Sequence, residues 1–300
     1  MIAIIGSTGH TGKIVAEELL AAGEKVRVIG RSAEKLQPFV AKGAEPFVGS
    51  VVDADAMTKA LRGATSAYIM IPPDVKQKSL RAYDTVVIES LYTAIDSSGL
   101  RHAVVLSSTG AQLAEGTGPV AGLHEMEETF KRLSDVNLLF LRPAYFMENL
   151  LNSVTVYKTM GFFASLIKDN IKFPMIATRD IGQRAAAELR ARNFTGHQVK
   201  ELHGQRDLSM NECAAIFGDA IGKPGLGYMQ APAMMAKPAM IQAGMSADFA
   251  DQLIELSGAI SHGKLPMLEP RSAENSTPTT IETFTNEVLV PAYKGKSASA

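Results

Sequence analysis

Three hundred residues, 46% of them apolar, suffice for one nucleotide-sized α/β domain and a smaller companion. Thirty basic residues stand against 31 acidic ones, a net charge of −1, which excludes the basic footprint of a nucleic-acid binder. The lone Cys213 excludes an intramolecular disulfide or a thiolate metal cluster, and no apolar run reaches the ~20 residues of a membrane span.

The chain opens with an apolar strand, Ile2-Ala3-Ile4-Ile5, and the turn Gly6-Ser7-Thr8-Gly9-His10-Thr11-Gly12. An amphipathic helix follows from Lys13 to Ala22, with Val15, Leu19 and Ala22 on one stripe and a stop at Gly23. No cleavable leader is expected ahead of this strand, and a cytoplasmic protein is the expectation. Strand, glycine turn and helix together form the context in which a dinucleotide fingerprint carries meaning. Gly6 lets the chain leave the strand sharply. Gly9 keeps side chains away from a diphosphate, and Gly12 lets the helix lie close. The helix N-terminus then offers unpaired N–H groups and partial positive charge. Gly6, Thr8, Gly9, His10, Thr11 and Gly12 are therefore candidate cofactor-binding residues.

A second strand is predicted over Lys25 to Ile29, followed by a helix from Ala33 with Ser32 as its cap. Strand three spans Glu45 to Val48, a short helix Asp53 to Leu61, and strand four Ser66 to Ile71, ended by Pro72-Pro73. Leu80, Tyr83, Val87, Leu91, Ala94 and Ile95 mark a long helix that stops near Gly99. Strand five is His102 to Leu106. Val120, Leu123, Met126, Phe130 and Leu133 share a helical stripe, and strand six is Asn137 to Leu141. Six apolar strands alternating with helices predict a Rossmann-type, doubly wound parallel sheet. We read residues 1–150 as this nucleotide-binding domain.

Residues 151–300 lose that rhythm and read as a smaller C-terminal α+β substrate lobe, with some segments returning to the first domain. Helices are predicted at Asp180 to Arg192, Met210 to Ile221 and through Phe249, Leu253, Leu256 and Ile260, and a strand at Val199 to His203. Thr279 with Glu282 predicts a capping box opening a last helix. Lys294 to Ala300 reads as a frayed polar tail. Met229, Met234, Met235, Met240 and Met245 cluster here. Methionine fits irregular apolar shapes, so the preferred reading is a loose core or partner surface, and the alternative is a lid over a flat aromatic substrate.

The end of strand two discriminates cofactors. NAD enzymes of this design place an acid there for the ribose hydroxyls. This chain has Gly30-Arg31-Ser32, with Lys35 one turn on. The guanidinium suits a phosphate, so NADP(H) is expected with Arg31, Ser32 and Lys35 around the 2′-phosphate; the alternative is a solvated arginine.

These motifs resemble the NmrA-like group of atypical short-chain dehydrogenases. The resemblance rests on Gly6, Gly9 and Gly12, on Arg31, on Leu106-Ser107-Ser108, and on Leu141-Arg142-Pro143-Ala144-Tyr145-Phe146-Met147-Glu148-Asn149. Ala177-Thr178-Arg179-Asp180-Ile181 and Pro278-Thr279-Thr280 extend it. It implies NADP(H) across the strand ends, with Met70, Ile71 and Pro72 beside the cofactor, Ser107 and Ser108 facing the nicotinamide, and Tyr145 and Phe146 near ring and substrate. Members include flavin-independent quinone and dye reductases as well as redox-sensing regulators.

Typical short-chain dehydrogenases pair a tyrosine with a lysine four residues on, so that the lysine lowers the tyrosine pKa for proton transfer. None of Tyr68, Tyr83, Tyr92, Tyr145, Tyr157, Tyr228 and Tyr293 has lysine at that spacing. The corresponding helix reads His124-Glu125-Met126-Glu127-Glu128, and His124 with Glu128 keeps the spacing. His124 is the candidate proton donor, with Tyr145 and Ser108 as catalytic companions; the alternative pairs Glu128 with Arg132. Reducing a simple ketone leaves a basic alkoxide that needs an acid, whereas a quinone gives a stabilised anion and a cationic dye needs no proton. The expected activity is NADPH-dependent hydride transfer to a conjugated, electron-poor acceptor of quinone, azo or triarylmethane type, without flavin or metal. The alternative is a redox sensor that binds NADP(H). Expected partners are a small aromatic or quinone-like substrate, with a homodimer or regulatory protein as further alternatives, and neither nucleic acid nor membrane.

Overall fold

The structure, a computed structural model, describes residues 1–295. Its centre is a seven-stranded sheet. The strands in chain order are β1 (Ile2–Ile5), β2 (Val26–Gly30), β3 (Glu45–Val48), β4 (Ser66–Ile69), β5 (His102–Leu106) and β6 (Asn137–Pro143). After β7 (Tyr145–Phe146), β8 (Phe163–Ser165) and β9 (Phe173–Ile176), the strand β10 (His197–Leu202) returns to this sheet. The order is β10-β6-β5-β4-β1-β2-β3, and each neighbouring pair is parallel. All four residues of β1 and of β4 are buried, as an apolar run covered on both faces requires.

Helices α1 (His10–Ala21), α2 (Ala33–Val40), α3 (Ala54–Leu61), α4 (Leu80–Ser98) and α5 (Val120–Phe130) connect the strands. They fall on two faces. Ala3 and Ile5 of β1 pack into a core with α3, α4 and α5, while Ile2 and Ile4 pack into another with α1 and α2. The side-chain period of two makes this division possible. Helix α7 (Thr178–Ala191), which follows α6 (Leu150–Met160), joins the second face through Ile181, Ala185 and Leu189. Gly182 permits its close approach to α1, because a Cβ there would overlap the Ile14 side chain.

A third core gathers α6, β8, β9 and α8 (Met210–Ala220) with the C-terminal helical segments α11 (Ile281–Phe284), a π-helical stretch over Thr285–Leu289, and α12 (Val290–Tyr293). Two small sheets accompany it, β11-β9-β7 with β11 (Asp207–Leu208), and β12-β8 with β12 (Tyr228–Gln230). Between β12 and α11 lie α9 (Ala233–Gln242) and α10 (Ala247–Ser261). Helix α10 leans back on the large sheet's domain: Asp248 accepts from the Leu80 N–H at 2.8 Å, and Ser246 N–H donates to the Val75 carbonyl.

Several expectations shift. Strand four ends two residues early, and β6 runs on to Pro143 because Leu202 of β10 pairs with it. The last helix is capped by Thr280, whose hydroxyl accepts from Thr283 N–H. Thr279 instead donates to the buried Asp180 carboxylate at 2.6 Å, and Glu282 pairs with Arg206, so the Thr279–Glu282 capping box does not form. The box that does form is Ser209 with Glu212 at the start of α8. The methionine cluster is no core: α9 buries no residue, and Met234 is 84% exposed. Of the predicted tail, Lys294 and Gly295 follow α12, and residues 296–300 lie outside the described residues.

Candidate functional site

The chain runs outward from β1 in both directions, to β2 and β3 on one side and to β4, β5 and β6 on the other. The sheet order therefore reverses beside β1, and the crevice at the carboxyl ends of β1 and β4 is the place where such sheets bind ligands. The glycine turn sits there. Gly6 has φ +72°, which a side chain would strain, and a Cβ on Gly12 would overlap the Gly6 carbonyl. Gly9 N–H donates to that carbonyl at 2.9 Å, closing the turn. Thr8, Gly9 and His10 face solvent. No side chain caps α1 and no acid occupies its first turn, so its unpaired N–H groups are available to an anion. Thr11 turns the other way. It is buried, and its hydroxyl accepts from Tyr68 at 2.9 Å, which leaves only its backbone for a ligand.

Met70 packs directly against Gly6, Ile71 is buried, and the Pro72 carbonyl accepts from the Tyr83 hydroxyl at 3.0 Å. Arg31 and Lys35 are exposed beyond β2. Ser32 caps α2, its hydroxyl accepting from Lys35 N–H at 3.4 Å. One carboxylate does stand nearby. Asp74, from the loop after β4, is close enough for Arg31 to help hold it below the usual range, after its bonds to Gln77 and the Lys76 backbone.

At the ends of β5, β6 and β10 opens a cavity of about 520 Å³, within the size range of small-molecule sites. Ser108, Tyr145 and Phe146 belong to its wall. The opposite side is closed by Leu256 and Ile260 of α10 and by the segment around Leu265 and Met267, and none of the five clustered methionines contributes. Tyr145 stacks edge-on against Phe173, centroids 5.4 Å apart. Burial pushes its phenol above the ordinary value, so it is a neutral hydrogen-bonding group and a poor proton source.

Two predicted residues are drawn elsewhere. Ser107 is buried and donates to Glu127 Oε1 at 2.5 Å, so it faces α5 and does not line the cavity. His124 also lies outside the cavity wall. Its Nδ1 is 2.8 Å from the Ala111 carbonyl, and Glu128 binds Lys131 Nζ at 2.5 Å, so neither His124 nor Arg132 makes a direct bond to Glu128, although His124 is near enough to help Lys131 hold that carboxyl below its usual range. Arg132 lies over the Tyr92 ring.

Two features lay outside the sequence reasoning. Glu127 and Arg142 form a buried bidentate pair, with Nε to Oε1 at 2.9 Å and a terminal nitrogen to Oε2 at 2.6 Å. A periodic signal existed, since Glu127 falls between Leu123 and Phe130 on the buried stripe of α5. His203, immediately after β10, lines the cavity. Nothing local distinguishes it, because its position depends on β10 lying beside β6. Among the described residues no cluster of three or more metal-ligating side chains occurs, and no helix is long and apolar enough to cross a membrane.

The NmrA-like family model matches residues 1–284. Quinone oxidoreductase 2 of Escherichia coli (strain K12) is 26% identical over 271 residues, covering 88% of this chain and 90% of its own. Triphenylmethane reductase of Citrobacter sp., solved in complex with NADP(H), superposes with a TM-score of 0.77 at 20% identity over 94% of this chain and 98% of that one. NmrA, a negative transcriptional regulator solved in complex with NADP, gives 0.73 at 16% identity over 98% and 96%. At these identities the two structures establish likeness of fold.

Proposed function

The chain belongs to the NmrA-like family, and we propose that it is an NADP(H)-dependent oxidoreductase reducing a conjugated, electron-poor acceptor such as a quinone. The observation that carries this reading is the adjacency of two features on one sheet edge. An open, uncapped glycine turn lies at the β1–β4 crevice, and a mostly apolar cavity lies two strands further along. A dinucleotide laid across the strand ends spans that interval.

The residues fit the cofactor. The turn from Gly6 to Gly12 would hold the diphosphate on backbone N–H groups, Arg31 and Lys35 the 2′-phosphate, and Met70 to Pro72 the adjoining sugar. Reduced nicotinamide supplies a hydride when bound. Ser108 and Tyr145 would contact ring and substrate, and the apolar wall would exclude water from them. Tyr145 is held neutral, and no lysine or free histidine stands four residues from it. The site therefore favours acceptors that need no strong acid, and its volume suits a flat ring system.

A second reading has its own support. Helix α9 buries nothing and exposes Met234 and Met235, as a surface for a regulatory partner would. One experiment separates the two. NADPH oxidation is followed by near-ultraviolet absorbance with 1,4-naphthoquinone and a triarylmethane dye, using wild type and Arg31→Ala. Turnover, with NADPH preferred over NADH by about tenfold and the preference lost in the variant, supports the reductase. Tight NADPH binding without oxidation of either acceptor supports the sensor.

A further inference from the structure

We propose that the C-terminal half of α10 is a movable wall of the acceptor cavity, and that its recoil into a cleft behind it sets how bulky an acceptor the protein takes. This rests on the reading of the large cavity as the acceptor site. The cleft holds about 390 Å³, and α10 shares it with Leu166 and with the segment Ala231-Pro232-Ala233 that leads into α9. Helix α10 contributes Ile254, Gly258 and Ser261 to the cleft, and Leu256 and Ile260 to the large cavity. At about 3.6 residues per turn these two sets stand on roughly opposite faces of the helix. One helix therefore separates two voids, and a step away from the first is a step into the second.

The two halves of α10 are held differently. At the N-terminal end the Ser246 hydroxyl accepts from Phe249 N–H at 3.0 Å, and Phe249 and Ala250 are buried. Asp248 and Ser246 tie this end to Leu80 and Val75. Gly118 brings another backbone so close that a Cβ on it would overlap the Gln252 carbonyl. Beyond that point the grip loosens. Ile254, Leu256 and Ile260 are only half-buried, and the buried residues are the small Ala259 and Ser261. Ser257 and Ser261 donate their hydroxyls to the Leu253 and Ser257 carbonyls of the same helix, at 2.8 and 2.7 Å. Ser261 also accepts from Lys168 N–H at 3.0 Å, on the cleft side. Gly263, at φ +63°, then turns the chain away from the helix.

The sizes agree. Residues 256–262 make about 10 Å of helix with a width of about 10 Å, so a mean displacement of ~4 Å sweeps ~400 Å³. The cleft holds that much. Its other wall yields as well, since α9, entered through Pro232 and Ala233, buries no residue. Recoil enlarges the acceptor cavity while the N-terminal ties of α10 and the strands of the large sheet stay in place. The cavity as it stands suits a flat two-ring acceptor, and the displaced wall admits one with substituents standing out of that plane.

Gly258 supplies the test, because a Cβ built on it meets no atom within 4 Å. Gly258→Phe fills the cleft. Gly258→Ala is the control, since it favours the helix and leaves the cleft open. Two quinones of one chemistry and different bulk, 1,4-naphthoquinone and its 2,3-diphenyl derivative, are titrated at equilibrium against wild type and both variants, with NADP⁺ and without it. The diphenyl compound should bind Gly258→Phe at least about tenfold more weakly than wild type or Gly258→Ala, and naphthoquinone should bind all three within about twofold. Amide exchange read by mass spectrometry follows the wall with no acceptor present. Residues 256–262 should exchange faster than 247–252 in wild type, and should slow about tenfold in Gly258→Phe relative to Gly258→Ala. Equal effects on both quinones, no loss for the bulky one, no binding of it to wild type, or exchange that the phenylalanine leaves unchanged overturns the proposal. Failure of the reductase reading shows separately: a protein that oxidises NADPH with neither quinone discredits that reading, while titration and exchange still decide whether the wall moves.

Discussion

Replacing Arg142 by methionine tests whether the buried Glu127–Arg142 pair ties α5 to the end of β6. Glu127 is 1% exposed and Arg142 5%. Together with Ser107 they join three elements, because Glu127 sits on α5, Arg142 on β6, and Ser107 just past β5. Arg142→Met keeps the bulk and removes two charge-assisted bonds. The Glu127 carboxylate is then left in a low-dielectric interior with only the Ser107 hydroxyl. Stranding one partner of such a pair costs about 3–5 kcal/mol, whereas replacing both by apolar groups is often close to neutral. For a protein of this size the single change should lower the thermal midpoint by on the order of 10 °C. Glu127→Met combined with Arg142→Met should recover most of that, less the cost of the Ser107 hydroxyl without an acceptor. Thermal unfolding of all three proteins, followed by circular dichroism at neutral pH, decides it. If the double variant is as unstable as the single, or the single shifts the midpoint by less than ~2 °C, the pair is not a shared buried unit and the reasoning fails.

Two further outcomes are expected. Gly12→Ala forces a methyl group into the Gly6 carbonyl, so NADPH titration should show affinity lower by at least about tenfold; unchanged affinity would mean that the turn can relax without losing its anion site. Asp84, buried on α4 against Gly122, has its carboxyl pushed up to about 7, first by burial and then by the balance of Arg81 against Glu125 and Asp248. Between about pH 4 and that value the native protein keeps a proton that the unfolded chain has released. Stability attributable to this group therefore falls as pH rises through that window and is flat above it. Asp84→Asn should raise the thermal midpoint more at pH ~8 than at pH ~5, and a pH-independent difference would contradict the shift.

The first six strands and the helices between them were legible because each carries its own signal. β1 is a continuous apolar run and β4 is one but for Ser66, Ser32 and Asp53 stand where caps belong, and Gly99 adopts the left-handed conformation that ends α4. The glycine turn was equally local, since Gly6 takes a left-handed φ of +72° and Gly12 answers to the Gly6 carbonyl six residues before it. The candidate catalytic group was not local. Helical spacing put His124 beside Glu128, and a four-residue rule cannot see that Ala111 and Lys131 are nearer partners. Ser107 and Ser108 are adjacent and alike in sequence. Only the packing of α5 turns one toward Glu127 and leaves the other on the cavity wall. His203 reaches the cavity because β10, after a lobe of some fifty residues, pairs with β6. Periodicity and capping are properties of neighbouring residues, so the chain alone settled the first six strands of the sheet and the glycine turn after β1. Which polar groups are spent on one another and which are left facing a ligand depends on contacts between distant segments, and only the tertiary structure decided that.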